Sequence, residues 1–196
     1  MNNVTLTGNR TLTHRGYTTS FPNGIGDGGN GHSLTVAYDN SVTYWYAAAI
    51  DWGASAGAST YTGRTICNGS TGSAGITFRV SGYFRNSSGV ELNRNGSFEI
   101  FNPAGVDRVG DGIPFDMRGG TVSVTSPGST SPSESIGTVN LYPGQSTLYA
   151  YANSGTTILS VTNLVDKKGS AFFHRYCRDS STARIFITGR PAGFIG

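Results

Sequence analysis

The chain has 196 residues, 36% of them hydrophobic, and a formal net charge of +3. This length is usual for one β-sandwich or barrel domain, and ten Phe with ten Tyr argue against a disordered chain. The 12 Arg and 2 Lys form no basic run, so the charge pattern argues against nucleic acid as a partner. No apolar run of 18 residues occurs, which argues against a membrane-spanning helix.

The composition predicts an all-β fold. There are 29 Gly, 23 Ser and 23 Thr, but only eight Leu, three Glu, two Lys and one Gln. Leu, Glu, Lys and Gln favour helices, whereas Thr, Val and aromatic residues fit a pleated surface. The balance therefore favours strands joined by many turns.

Ten short segments with alternating polarity are predicted strands. They are Leu34–Tyr38, Val42–Tyr46, Ile76–Phe84, Gly96–Phe101, Thr121–Thr125, Ile136–Leu141, Thr147–Tyr151, Thr156–Val161, Ala171–Tyr176 and Arg184–Thr188. The links Asp39–Ser41 and Asn153–Gly155 are predicted hairpins. No repeat of fixed period is visible, which argues against a solenoid or propeller.

Both tryptophans lie close together, Trp45 in a predicted strand and Trp52 just after Asp51. Aromatic rings beside a carboxylate can contact the apolar face of a sugar while polar groups bind its hydroxyls. Tyr61 is a further candidate for the same site. The rings can equally belong to a core, and strand alternation leaves Trp52, in the following loop, as the stronger ligand candidate.

The most highly charged connection runs from Asn102 to Gly120. It contains polar side chains suited to hydrogen-bonding a sugar, and connections carry function more often than strands do. The candidates in this segment are Asn102, Asp107, Arg108 and Asp111.

No metal or other cofactor is predicted. His14, His32 and His174 are the weak alternative for a zinc site, but they lack the close spacing typical of zinc ligands. Asp27 with Asn30, or the aspartates of 107–116, could supply oxygen ligands to calcium, but neither has EF-hand spacing.

Two matches to catalytic motifs lack their structural context. Gly24–Gly29 fits G-x-G-x-x-G, but a strand rather than a helix is predicted after it. Gly53–Gly57 fits G-x-S-x-G around Ser55, but a nucleophile elbow needs a strand-to-helix turn. The chain is therefore predicted not to be an enzyme.

The two cysteines, Cys67 and Cys177, are predicted to form a disulfide. Two free, buried cysteines are the alternative. Met1 before Asn2-Asn3-Val4 is interpreted as an initiator placed on a mature, exported domain.

A β-rich domain of this length, with one distant cysteine pair and Thr/Gly/Asn-rich strands, resembles the N-terminal receptor-binding (lectin) domain of a two-domain chaperone–usher fimbrial tip adhesin. The ending Arg190–Gly196 contributes to the resemblance. The resemblance implies an elongated immunoglobulin-like or jelly-roll-type β-sandwich of about ten strands with long loops. It also implies export through the periplasm to the bacterial surface, a pilin domain after residue 196 and contacts with neighbouring fimbrial subunits.

Residues 1–196 are accordingly expected to form a single receptor-binding domain. The predicted function is non-enzymatic attachment to a host cell-surface glycan or glycoprotein. The alternative is a structural or protein-binding module, such as a fimbrial shaft subunit or a phage fibre tip, without a sugar site.

Overall fold

A computed structural model describes residues 4–14, 17–41, 48–52, 61–72, 75–102, 105–126, 131–152, 155–167, 170–176 and 183–189. For residue 17 and for 48–52 and 170–176 it describes the backbone alone. The strands are β1 (Val4–Thr5), β2 (Arg10–His14), β3 (Tyr17–Phe21), β4 (Ile25–Gly26), β5 (Leu34–Tyr38), β6 (Ala48–Trp52), β7 (Arg64–Asn68), β8 (Ile76–Val80), β9 (Gly89–Leu92), β10 (Gly96–Phe101), β11 (Phe115–Met117), β12 (Thr121–Ser126), β13 (Ser133–Leu141), β14 (Gly144–Ala152), β15 (Thr157–Asp166), β16 (Ser170–Tyr176) and β17 (Ala183–Gly189).

From β5 onward, the strands alternate between two long sheets. Sheet 1 has the order β2-β5-β7-β9-β11-β13-β15-β17, and sheet 2 has the order β3-β6-β8-β10-β12-β14-β16. Every pairing between described strands is parallel, including the small β1–β4 pair. The chain thus winds as a β-solenoid of about six turns. In the described part of the chain there is no helix that could cross a membrane.

The all-β prediction is confirmed, but the immunoglobulin-like or jelly-roll-type sandwich is wrong. Parallel neighbours need a long crossover, and here the strand of the opposite sheet provides it. The predicted hairpin at Asn153–Gly155 is also wrong, because it joins β14 of sheet 2 to β15 of sheet 1. The predicted hairpin at Asp39–Ser41 is wrong because β5 pairs with β2 on one edge and with β7 on the other, which leaves no edge for a hairpin partner. The predicted second strand of this hairpin, Val42–Tyr46, lies outside the described residues.

The expectation that the fold is not a solenoid is wrong, because the repeat exists in the backbone and not in the sequence. Phe115 lies beside Val139, 24 residues further on, and Thr157 lies beside Ala183, 26 residues further on. The offset is 31 between Leu34 and Thr65 but 24 between Arg10 and Leu34. A repeat that changes length and conserves no motif leaves no fixed period in the sequence.

The inward residues of both sheets form one core. Ile76, Phe78 and Val80 of β8 are all fully buried, as the alternation of this strand predicts. Phe78 pairs with Phe98 of the next turn, and the two rings stack at 5.7 Å between centroids. Phe98 meets Phe115 of the opposite sheet edge-on at 5.3 Å. The interior is thus a column of stacked aromatic rings surrounded by aliphatic side chains.

Glycines allow the corner between the two sheets to stack closely. A Cβ atom on Gly96 would lie 2.3 Å from the carbonyl oxygen of Cys67, and one on Gly120 would lie 2.6 Å from that of Gly96. Each is a contact with the backbone of the preceding turn, which cannot move aside. Gly63 and Gly110 make similar approaches at other connections, and Gly137 does so within β13.

We expect Gly120→Ala to lower the free energy of unfolding by at least about 2 kcal/mol, because the added methyl group overpacks against fixed backbone. Thermal denaturation would then shift by roughly 4–8 °C. The matched control is Gly112→Ala, since a Cβ there meets nothing within 4 Å, and its effect should stay within about 0.5 kcal/mol. Equal melting temperatures for the two variants would contradict the close stacking.

Cys67 is a free cysteine in the core of sheet 1, between Val36 of β5 and Leu92 of β9. It is 0% exposed, and this burial raises the pKa of its thiol to about 12. Cys177 lies outside the described residues. The structure therefore lends the disulfide no support, and the pairing stays a prediction.

We expect Cys67 to resist iodoacetamide at pH 8 in the native protein, because a buried thiol with a raised pKa supplies almost no thiolate. In guanidinium chloride without reductant it should alkylate fully. Peptide mass spectrometry would quantify labelling at this residue. Protection that persists in denaturant until a reductant is added would instead show a disulfide.

Candidate functional site

The predicted polar segment after β10 folds into a buried cluster around Glu134 of β13. Oε1 of Glu134 accepts hydrogen bonds from the Asn102 side chain at 2.7 Å and from the Arg108 amide at 3.1 Å. Its Oε2 accepts from the Arg108 amide at 3.1 Å and from the Val109 amide at 3.4 Å. The cluster attaches the segment to the strand one turn further along.

The Arg108 side chain points to other partners. Its Nε donates to Oδ1 of Asn102 at 3.2 Å, and its guanidinium donates to the carbonyl oxygen of Ser81. Glu134 has no ion pair with any described residue, and burial raises the pKa of its carboxyl group to about 7. Asp107 nearby has a raised pKa, first because of desolvation and then because of the charge of Asp111.

This cluster is suited to hold the backbone rather than to bind a ligand. Asn102 and Glu134 are fully buried and Arg108 is 8% exposed, so their polar atoms are used within the fold. Asp107 and Asp111 are exposed. Glu134 is not among the site residues predicted from the sequence, although a lone acidic residue next to a predicted alternating strand was the available signal.

The aromatic candidates separate in the structure. Trp52 ends β6 and pairs with Val80, and the residue after Val80 is Ser81, the acceptor for Arg108. The end of β6 and the Asn102–Asp111 segment therefore meet at one corner of the solenoid. Asp51 pairs with Arg79, whereas Trp45 lies outside the described residues.

Tyr61 belongs to the core. It is 1% exposed, its hydroxyl donates to the Arg64 carbonyl oxygen at 2.5 Å, and the Leu34 amide donates to it at 3.0 Å. Its ring lies 6.2 Å from that of Phe84. This tyrosine joins two turns and is not available to a surface ligand.

The three histidines do not form a common site. His14 ends β2, the first strand of sheet 1, while His174 lies in β16, the last strand of sheet 2. No group of three or more His, Cys, Asp or Glu able to hold a metal ion occurs among the described residues.

Asp27 organises the Gly-rich loop. Its carboxylate accepts hydrogen bonds from the amides of Gly29, His32 and Thr62 at 3.0–3.2 Å and from the Thr62 hydroxyl at 2.9 Å. Burial acts to raise its pKa, but the hydrogen bonds outweigh burial and the pKa is lowered. Asp27, a calcium-ligand candidate in the sequence, therefore uses its carboxylate to hydrogen-bond the loop.

The outer side of sheet 2 presents aromatic and hydroxyl groups in rows. We call its positions on β10, β12 and β14 the tyrosine face; they are Ser97, Glu99, Phe101, Thr121, Ser123, Thr125, Thr147, Tyr149 and Tyr151. The residues between them, such as Val122, Val124 and Leu148, are buried. Strand alternation thus directs the polar set outward.

Two contacts shape the tyrosine face. The rings of Tyr149 and Tyr151 lie 6.4 Å apart with only 15° between their planes. Beside them, Glu99 accepts from Nε of Arg79 at 2.8 Å and from the Thr125 hydroxyl at 2.8 Å. The face therefore offers two parallel, partly exposed rings next to fixed hydrogen-bonding groups. Alternation in the sequence predicts a strand at Thr147–Tyr151 but does not by itself mark this face as a site.

Comparison of the chain with protein-family models, with curated proteins and with solved structures gives no match.

Glu134 predicts a specific pH dependence of stability. Its pKa is raised from 4.5 to about 7 on folding, so its contribution is greatest below pH 4.5 and is lost as the pH rises through 7. The loss amounts to about 3 kcal/mol at 1.36 kcal/mol per pKa unit. Glu134→Gln cannot ionise and should lack this component.

Urea denaturation at pH 4.5, 6 and 8 would measure the effect. The free energy of unfolding of the wild type, relative to Glu134→Gln, should fall as the pH rises. A constant difference across this range would show that the carboxyl group ionises normally and is not desolvated.

Proposed function

We propose that this protein is a non-enzymatic attachment module that binds a glycan on the tyrosine face. The observation that carries the proposal is the parallel pair Tyr149 and Tyr151 on the outside of a rigid sheet. Aromatic rings of this kind contact the apolar faces of sugars. A preformed surface of this kind binds a ligand without the loss of conformational entropy that ordering a loop would cause.

The neighbouring groups suit sugar hydroxyls. Thr121 of β12 provides a hydroxyl that can donate and accept hydrogen bonds. The Thr125 hydroxyl donates to Glu99 and can still accept, whereas Ser123 between them is only 8% exposed. Glu99 is held by Arg79 and Thr125, so its position is fixed before a ligand arrives. Rings and hydrogen-bonding groups together match the usual composition of a small-ligand site.

Display on a bacterial surface and a host glycan as the receptor remain part of this proposal. The composition is what supports the fimbrial context, because the parallel solenoid differs from the immunoglobulin-like domain that the resemblance implied. A pilin domain and neighbouring fimbrial subunits as partners depend on that context.

A structural or protein-binding module is the second candidate. It is favoured by β17, which pairs only with β15 among the described strands and carries Phe186, 50% exposed. Edge strands with apolar side chains are common sites of pairing with another chain.

We expect the double variant Tyr149→Ala/Tyr151→Ala to lose at least tenfold in affinity for any glycan that the wild type binds, equivalent to about 1.4 kcal/mol. A glycan array followed by titration calorimetry would measure it. Tyr83→Ala is the control, because this tyrosine contacts Arg85 in a connection and not in sheet 2.

Unchanged binding by the double variant, with a melting temperature equal to that of the wild type, would contradict the tyrosine face as the site. A wild type that binds no glycan and forms oligomers lost in Phe186→Ser would support the second candidate instead.

A further inference from the structure

A groove of about 690 Å³ lies where sheet 1 turns into sheet 2. Its polar lining includes Arg94, Arg118, Thr121, Gln145 and Thr147. Gly119 and Gly144 also line it, and because they carry no side chain they leave it open. The groove is formed by three successive turns, at the connections that follow β9, β11 and β13.

Stacking of the turns concentrates positive charge at this corner. Leu92, Met117, Leu141 and Asp166 are paired across sheet 1, and the residues that follow them are Asn93, Arg118, Tyr142 and Lys167. Neighbouring turns lie about 4.8 Å apart. Arg118 therefore stands close to Arg94 on one side and two turns from Lys167 on the other.

The positive charges are poorly compensated. Arg94 has no ion pair or side-chain hydrogen bond with any described residue. Arg118 lies over the Tyr142 ring at 3.7 Å and reaches Glu91 only at 4.0 Å. Glu91 is also shared with Arg64 at 3.4 Å and with Asn93 at 3.1 Å. Like charges on neighbouring turns repel, so an anion between the guanidinium groups would relieve a cost that the free protein bears.

The groove is continuous with the tyrosine face. Thr121 and Thr147 line the groove and also belong to the tyrosine face, on β12 and β14. Tyr149 and Tyr151 follow Thr147 along the same strand, and four residues of strand span about 13 Å. A glycan lying along β14 would thus reach from the tyrosines into the groove.

We propose that the groove binds an anionic group of the glycan, a carboxylate or a sulfate, between Arg94 and Arg118, so that the receptor is an acidic glycan. This inference rests on the proposed function. The planar guanidinium of Arg118 is held by Tyr142, which leaves its edge to make paired hydrogen bonds with oxygen atoms of the anion. Gln145 adds an amide donor at the same place.

The test is an array of neutral, sialylated, uronate-containing and sulfated glycans. The strongest ligands should be acidic, and each should bind at least tenfold more tightly than its carboxyl-reduced or desulfated counterpart. The first comparison identifies a carboxylate and the second a sulfate. An array on which neutral glycans bind as tightly as acidic ones would overturn the inference.

Substitutions separate this inference from the proposed function. Arg94→Gln/Arg118→Gln should weaken binding of the acidic ligand at least tenfold and leave binding of its neutral counterpart unchanged. Because salt screens exposed charges, the affinity of the wild type for the acidic ligand should fall between roughly 50 and 300 mM NaCl. The affinity of the double variant should fall less over the same range. Arg184→Gln, at an exposed arginine in β17, is the control for the single substitution Arg94→Gln, because each removes one positive charge. Arg94→Gln alone should show part of the loss of affinity seen in the double variant. It should fold normally, because Arg94 has no side-chain partner among the described residues.

The two ideas fail differently. Loss of binding in Tyr149→Ala/Tyr151→Ala with no effect of the arginine substitutions would overturn the groove and keep the tyrosine face. The reverse pattern would keep the anionic contact and remove the tyrosine face. Absence of any glycan ligand would overturn both.

Discussion

The structure depends on one constraint: each turn must lie directly on the backbone of the turn before it, in register and in parallel. Backbone hydrogen bonds between turns require a spacing of about 4.8 Å, and no side chain fits between the turns at a tight corner. Gly96 and Gly120 satisfy this constraint where sheet 1 becomes sheet 2, because a Cβ on either would meet a carbonyl oxygen within 2.6 Å. The high glycine content thus has a structural cause, since corners recur in every turn.

Register also makes neighbours of residues far apart in sequence. Phe78 and Phe98, 20 residues apart, become stacked core partners, and Thr121 and Thr147 become adjacent on the outer surface. A surface on such a fold is therefore a set of columns, each with one residue from each turn. The tyrosine face consists of three such columns. The corner with Arg94 and Arg118 adjoins it on the same turns, so one extended ligand would reach both. Insertions between strands, such as the segment containing Asp107, alter one corner without disturbing the columns.

The sequence predicts the strands much better than their arrangement. Gly96–Phe101 and Leu34–Tyr38 were predicted with their observed bounds, because alternation of polar and apolar side chains follows directly from the pleat. Pairing is not encoded in that alternation, since a strand with one buried face satisfies it equally well in a sandwich or in a solenoid. Short strands such as Phe115–Met117 were missed because three residues carry too little pattern. In the candidate site, Asn102 and Arg108 do come together, but only the fold brings Glu134 to them from 26 residues beyond Arg108.

Structural and functional polar groups in this chain differ in the partners that they have within the fold. Around Glu134 each described polar contact is internal, so the hydrogen bonds of the cluster hold a connection to the next turn. Burial without an ion-pair partner among the described residues raises the pKa of the Glu134 carboxyl group. The corner with Arg94 and Arg118 shows the opposite situation. The two arginines lie on neighbouring turns, and the nearest described carboxylate, that of Glu91, lies 4.0 Å from Arg118. Buried polar groups are expected to be satisfied within a fold, whereas surface charge left uncompensated beside an open groove is available to a partner. An anionic ligand would therefore bind more favourably beside Arg94 and Arg118 than at the Glu134 cluster, because the two arginines lack the internal partners that the cluster has.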